Sequence, residues 1–168
     1  MDEVRLLVLI AATITMGLMA GLFAAFSYAV MPGLARTDAR TFVAAMQRIN
    51  EAILNGWFAI AIGGAVVFTT AAALMHLPAQ ERPALPWIVA ALVLYLIALV
   101  VTGVVNVPLN NGLLAEGPPD RITDPAAARR RFERRWVRWN VARSVLTVAA
   151  LGCLCGALIR SGATAAGG

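Results

Sequence analysis

Apolar residues run almost unbroken along four stretches of the chain, and the polar positions gather between them. No charged side chain occurs between Arg5 and Arg36, between Glu51 and Glu81, or between Arg82 and Glu116. Each gap exceeds the roughly 20 residues that a helix needs to cross the hydrocarbon core of a bilayer. Three spans follow, at 6–31, 52–75 and 87–107, and a fourth at 140–159 reaches spanning length if Arg143 is accepted one turn inside it. The pattern predicts an all-α integral membrane protein. It reads as one domain over 1–168, a four-transmembrane-helix bundle ending in a flexible tail at 160–168.

Prolines and caps set the expected ends. Pro32-Gly33 should stop the first helix, because proline lacks the next backbone donor and disfavours helix for its predecessor. Thr37 or Asp38 then caps a new helix, and no proline follows before Pro78, so the second helix begins outside the membrane and enters it near Glu51. Pro78, Pro83 and Pro86 mark a short connection, Pro108 ends the third helix, and Asp124-Pro125 supplies a cap and a first-turn proline for the fourth. That helix opens on a basic section, Arg129, Arg130, Arg131, Arg134, Arg135 and Arg138. At 100° per residue Trp136, Trp139 and Arg143 fall within about 40° of Phe132, with Arg131, Arg134 and Arg138 opposite.

An internal echo accompanies this layout. Phe42, Met46, Ile49 and Asn50 repeat, ninety residues later, as Phe132, Trp136, Trp139 and Asn140. Each set follows an apolar helix ending at a proline. Two helical hairpins in the same orientation would produce this pattern, with Asn50 and Asn140 as partners across a pseudo-twofold axis along the membrane normal.

Composition narrows the function. Hydrophobic residues make up 60% and charged residues 14%, against about 45–50% and 25% in soluble domains. Lipid is therefore the surrounding partner. One histidine, His76, cannot build a histidine-rich metal centre, and Cys153 and Cys155 point roughly 200° apart on a helix, so no metal site is expected. No Walker motif, dinucleotide fingerprint or nucleophile elbow occurs. All 14 cationic residues are arginines and the net charge is +5. The arginines at 129–138 read as a face beside phospholipid headgroups, with no nucleic-acid partner. Ten arginines in the segments 32–50 and 108–139, against Arg5, Arg82 and Arg160 on the other side, place the arginine-rich loop in the cytoplasm and both termini outside a cell membrane. Leu6 to Met31 is also longer than the roughly 7–15 apolar residues of a signal peptide, so it is expected to remain as the first span.

The polar residues inside the spans are few and collect at one end. Glu51 and Asn55 stand at the start of the second span, Asn106, Asn110 and Asn111 at the end of the third, and Asn140 and Arg143 at the start of the fourth. An arginine at such depth normally faces the bundle and finds a partner, and Glu51 is the acidic residue at matching depth. Arg143 shares the face of Trp136 and Trp139, which favours a buried Glu51–Arg143 pair over snorkelling to the headgroups. Gly17-x-x-x-Gly21 and Gly152-x-x-x-Gly156 read as helix-packing motifs.

Four motifs carry a family resemblance. Gly21-x-Phe23-x-x-Phe26-Ser27-Tyr28-x-x-Met31-Pro32-Gly33-Leu34, Met46-Gln47-Arg48-Ile49-Asn50, Asn106-Val107-Pro108-Leu109-Asn110 and Trp136-x-x-Trp139-Asn140-x-x-Arg143 together resemble the DUF1772 or anthrone oxygenase family of small membrane proteins. The resemblance covers about residues 17–147. It implies a four-helix membrane protein that oxidises a tricyclic anthrone to an anthraquinone with O2, with no metal or flavin cofactor. In that reading Glu51 is the base, Arg143 and Asn140 stabilise the anionic oxygen with Asn50 and Asn106, and Asn55 and Asn110 complete the polar lining. The apolar planar substrate would arrive from the bilayer and lie against Trp136, Trp139 or Tyr28. The other class open to this sequence is a non-catalytic multi-pass protein that binds a lipid or quinone. A proton or solute carrier is weaker, since one acidic residue at membrane depth makes no relay.

Overall fold

The computed structural model describes residues 3–78 and 82–166, with side chains described as far as Gly162. Among them every regular element is helical: α1 (Glu3–Ala25), α2 (Met31–Leu34), α3 (Ala39–Ala52), α4 (Gly56–Met75), α5 (Leu85–Val101), α6 (Val107–Leu114) and α7 (Pro125–Ala166), with π-helical turns at Phe26–Val30 and Thr102–Asn106. Four stretches are long and apolar enough to cross a membrane: Glu3–Leu34, Gly56–Met75, Leu85–Leu114 and Pro125–Gly162. They pack as a ring in which α1 touches α4 and α7, and α5 touches α7 and α4.

Hydrophobicity on every side is what a helix between protein and lipid requires. Leu9, Met16, Ile88, Tyr95 and Leu154 fill the interior. Ala12, Ala65, Ala91 and Ala150, all fully buried, leave the backbones free to approach where lipid offers no hydrophobic drive for association. Leu7, Ile14, Leu18, Val67 and Val93 point outward.

The two prolines do not end their helices. Before Pro32 the chain widens into the π turn Phe26–Val30, where the Met31 N–H bonds to the Phe26 carbonyl, and then runs on as α2 to Leu34. Before Pro108 it does the same at Thr102–Asn106, where the Val107 N–H bonds to the Thr102 carbonyl, and continues to Leu114. A proline ring collides with the carbonyl one turn back and offers it no donor, and a slackened turn just ahead lets the helix pass with a bend. In both cases the widened turn starts at the same distance from its proline.

The second expected helix is also different: it breaks after Ala52, and Asn55 caps α4 by accepting the Phe58 N–H. The fourth runs helical through Ala166, where a tail was expected. Residues 167–168 lie outside the described residues.

Beyond the spans α3 packs on the first turns of α7 around Phe42, Val43, Met46, Ile122, Phe132 and Trp136. Phe42 and Phe132, the leading members of the echo, meet edge to face with centroids 6.2 Å apart. Arg129 turns inward, donating to the carbonyls of Thr37 (2.8 Å) and Ala35 (3.0 Å) and lying over the Phe42 ring. Asp38 caps α3 through the Arg40 and Thr41 N–H groups. The Thr41 hydroxyl and N–H hold its carboxyl below the usual range. Gln47 reaches across to the carbonyls of Leu113 and Gly117, and Gly117 adopts a φ of 84° that a side chain would resist.

Of the four glycines in the two expected packing motifs, Gly156 makes the close approach. A Cβ there would lie 2.8 Å from the Trp87 ring, whereas Gly17 has only Leu151 at 3.8 Å, and Gly21 and Gly152 have open space. Overpacking costs about 1–3 kcal/mol, against a helix-propensity gain of about 1. Gly156→Ala should therefore lower the thermal midpoint of the detergent-solubilised protein, whereas Gly152→Ala should hold or raise it. Equal midpoints would show that Trp87 yields without cost.

Candidate functional site

The arginine-rich end of the bundle contains a cavity of about 210 Å³. Its walls come from α1 and its π turn, the end of α3, the start of α4, the π turn of the third span with α6, and α7. Phe23, Phe26, Phe58 and Trp136 present rings to it, and Leu22, Ile49 and Ile62 aliphatic surface. Its polar groups are Asn50, Thr102, Asn106, Asn110, Asn111 and Arg143, so the wall holds one ionisable side chain. Leu54 and Val107 also line it and are themselves exposed, which opens the cavity on the apolar flank of the bundle beside the α3–α4 break.

Arg143 is 7% exposed. Its Nε donates to Asn140 Oδ1 at 2.9 Å, and Nη1 lies 3.5 Å from Thr102 Oγ1. The guanidinium carbon stands 4.1 Å from the Phe23 ring centroid and 5.2 Å from that of Trp136. Cation–π contact is strongest where water is excluded, and two aromatic faces take the place of a carboxylate. Among the described residues no acid pairs with Arg143. The wall therefore holds a cation whose charge no acid among the described residues neutralises.

Asn140 fixes this cation. It is fully buried, and its Nδ2 donates to the Phe23 carbonyl at 3.0 Å and to Ser27 Oγ at 2.7 Å, which leaves Oδ1 for Arg143. Ser27 lies 3.0 Å from Ser144, whose hydroxyl donates to the Asn140 carbonyl. The first π turn thus brings Ser27 onto α7. The second supplies Thr102 and Asn106. Trp136 is held in the wall by its Nε1–H, which donates to Asn110 Oδ1 at 2.8 Å.

Two buried amide atoms have no partner. Asn106 is fully buried and donates from Nδ2 to the Trp136 carbonyl at 3.4 Å, but its Oδ1 is unpaired. Asn50, 7% exposed, has an unpaired Nδ2. A buried polar atom without a partner costs about 1–3 kcal/mol, a cost that an occupant of the cavity would remove.

Of the residues singled out in the sequence, Arg143, Asn140, Asn50, Asn106, Asn110 and Trp136 come together here. Glu51 does not: one residue past Asn50 on α3, it is turned about 100° away and is exposed, so the expected Glu51–Arg143 pair does not form. Asn55 is occupied as a helix cap. Tyr28 is 73% exposed on the outer side of its π turn, and Trp139 is half-buried outside the cavity wall. Asn50 and Asn140 lie in the same region but are not bonded to each other, because Asn140 spends its groups on Phe23, Ser27 and Arg143. His76 is buried beside Ser161, roughly 27 Å along α7 from Arg143 at 1.5 Å per residue. Phe23, Phe26, Ser27, Phe58 and Thr102 were not among the expected site residues. Thr102 and Asn106, four apart in an otherwise apolar helix, were the legible signal.

The sequence pattern that defines the anthrone oxygenase family matches residues 55–153, more than half of the chain. The chain belongs to this family. No curated protein and no solved structure matches it. The matched segment carries Thr102, Asn106, Asn110, Trp136 and Arg143, the α5–α7 side of the cavity, together with Asn140 behind Arg143. The opposite side, with Phe23 and Asn50, precedes it.

Proposed function

We propose that the cavity binds a planar apolar aromatic ketone from the bilayer and promotes its oxidation by O2, as an anthrone-type oxygenase. The observation that carries this reading is the buried Arg143, held between Phe23 and Trp136 with no acidic residue in the cavity wall, in a cavity lined mainly by apolar side chains and amides. Loss of a ring proton turns an anthrone into an aromatic oxyanion. A fixed cation in a dry wall favours that anion over the ketone, and the stabilisation grows as the charge forms. The anion gives an electron to O2, the two radicals combine to a peroxide anion, the proton, carried meanwhile by water at the cavity mouth, returns to give the hydroperoxide, and loss of water leaves the quinone. One O2 is consumed and one water is released per anthrone. At about 210 Å³ the cavity is below the roughly 300–1,000 Å³ of drug-sized sites, which suits a compact fused-ring molecule better than a whole lipid.

Oxygen uptake by purified, metal-stripped protein with a panel of anthrones and hydroquinones tests the proposal. Conversion of an anthrone to its quinone well above the spontaneous rate is expected. A requirement for added metal would overturn the mechanism. Absence of turnover by folded protein would favour a site that only holds a quinone or lipid.

The arginine distribution further supports a cell-membrane orientation with the arginine-rich loop inside and both termini outside. Reporters fused after Gly168 and within residues 118–121 should report opposite compartments. A cytoplasmic C-terminus would overturn this orientation.

A further inference from the structure

The unpaired amides of Asn106 and Asn50 specify more about the occupant than its shape. The orientation of Asn106 is fixed, since reversing its amide would set Oδ1 against the Trp136 carbonyl that Nδ2 now meets at 3.4 Å. Its free Oδ1 can only accept. The free Nδ2 of Asn50 donates, as does Arg143, whose guanidinium carries donors alone. All three residues line one cavity. An aromatic ketone without substituents answers Arg143 and Asn50 through its oxygen and leaves Asn106 unpaired. A ligand that also carries a hydroxyl answers all three.

We infer that Asn106 is a specificity residue that reads a ring hydroxyl on the aromatic ligand, while Asn50 and Arg143 hold its keto or enolate oxygen. This inference rests on the aromatic-ketone reading of the cavity. The ring hydroxyl must not be engaged by the ligand's own carbonyl, or it would have no hydrogen to offer. A site built around a hydroxyl rejects analogues lacking it far more strongly than an apolar pocket distinguishes two similar shapes, because the missing group strands a buried partner.

Binding, measured without turnover, tests the inference. The protein in lipid nanodiscs would be titrated calorimetrically with three oxygen-stable ligands: anthraquinone, an anthraquinone with one hydroxyl remote from its carbonyls, and the methyl ether of that hydroxyl. The pH is kept low enough that the hydroxyl stays protonated. The hydroxyl compound should bind roughly tenfold or more tightly than its methyl ether. In Asn106→Leu that preference should fall below about twofold while anthraquinone still binds, and Asn50→Leu should weaken all three ligands alike. Equal binding of hydroxyl and ether by the unmodified protein overturns the inference, as does a preference that survives Asn106→Leu. If Asn106→Leu does not fold, the comparison on the unmodified protein decides. Failure of all three to bind overturns the aromatic-ketone reading together with the inference, whereas equal binding overturns the inference alone.

Discussion

Arg143→Met should lower anthrone turnover by roughly 10²–10³-fold in kcat, the range seen when one preorganised oxyanion donor is removed, while the bundle stays folded. Methionine keeps an unbranched apolar stem against Phe23 and Trp136 and removes the charge. Two effects on stability oppose each other. Asn140 Oδ1 loses its donor, at about 1–3 kcal/mol, and a buried cation without an acid partner disappears, which is often neutral or stabilising by about 1–4 kcal/mol. The thermal midpoint should accordingly move little while kcat collapses. Arg143→Lys should rescue only part of the activity, because a compact ammonium cannot lie flat between two rings and also reach Asn140. Unchanged kcat in Arg143→Met would remove the cation from the mechanism, and parallel loss of fold and activity would make its role structural. Glu51→Gln serves as a stability control: the exposed carboxylate should contribute within about 0.5 kcal/mol, whereas a buried partner of Arg143 would contribute several.

Three spans were legible because hydropathy reports the solvent, and a bilayer imposes a length that a charge-free gap either meets or does not; the fourth was legible once Arg143 was accepted one turn inside it. The place where the polar residues gather, the candidate site, was legible for a related reason. Polar residues are costly in hydrocarbon, so Asn106, Asn110, Asn140 and Arg143 could gather only where they satisfy one another or serve a ligand. The partners were not legible. Pairing Arg143 with Glu51 assumed that a buried cation needs a carboxylate, whereas Phe23, Trp136 and an amide oxygen meet it instead. The π turns escaped for a local reason: proline normally ends a helix, and only packing on both sides of the bend decides whether the helix slackens and continues. That continuation is what sets Ser27 and Thr102 against α7. Asn55 was misread because an asparagine before glycine serves equally well as a wall residue or as a cap, and the break after Ala52 selected the cap.

Asn140→Leu should be among the most damaging single substitutions in the chain. Leucine matches the shape but leaves the Nε of Arg143 without its acceptor and takes one donor each from the Phe23 carbonyl and the Ser27 hydroxyl, which keep their contact with each other and, for Ser27, with Ser144. A buried charged donor left unsatisfied costs about 1–3 kcal/mol or more and each of the two other lost hydrogen bonds about 0.5–1.5, so a loss of about 3–5 kcal/mol is expected, a large fraction of the roughly 5–15 kcal/mol that separates folded from unfolded domains. Asn110→Leu offers the comparison. It strands only the Trp136 indole N–H beside the cavity and should cost about 1–2 kcal/mol. Unfolding of the purified variants in detergent, followed by thermal or denaturant titration, ranks them. The double variant Asn140→Leu/Arg143→Met carries the sharper test. Much of the damage from Asn140→Leu lies in a buried cation left without its acceptor, so removing that cation as well should recover part of the loss, with a coupling of about 1–3 kcal/mol. Strict additivity would mean that Arg143 relaxes to water when Asn140 is lost, and the cation would then be too mobile to hold the oxyanion that the proposed reaction needs.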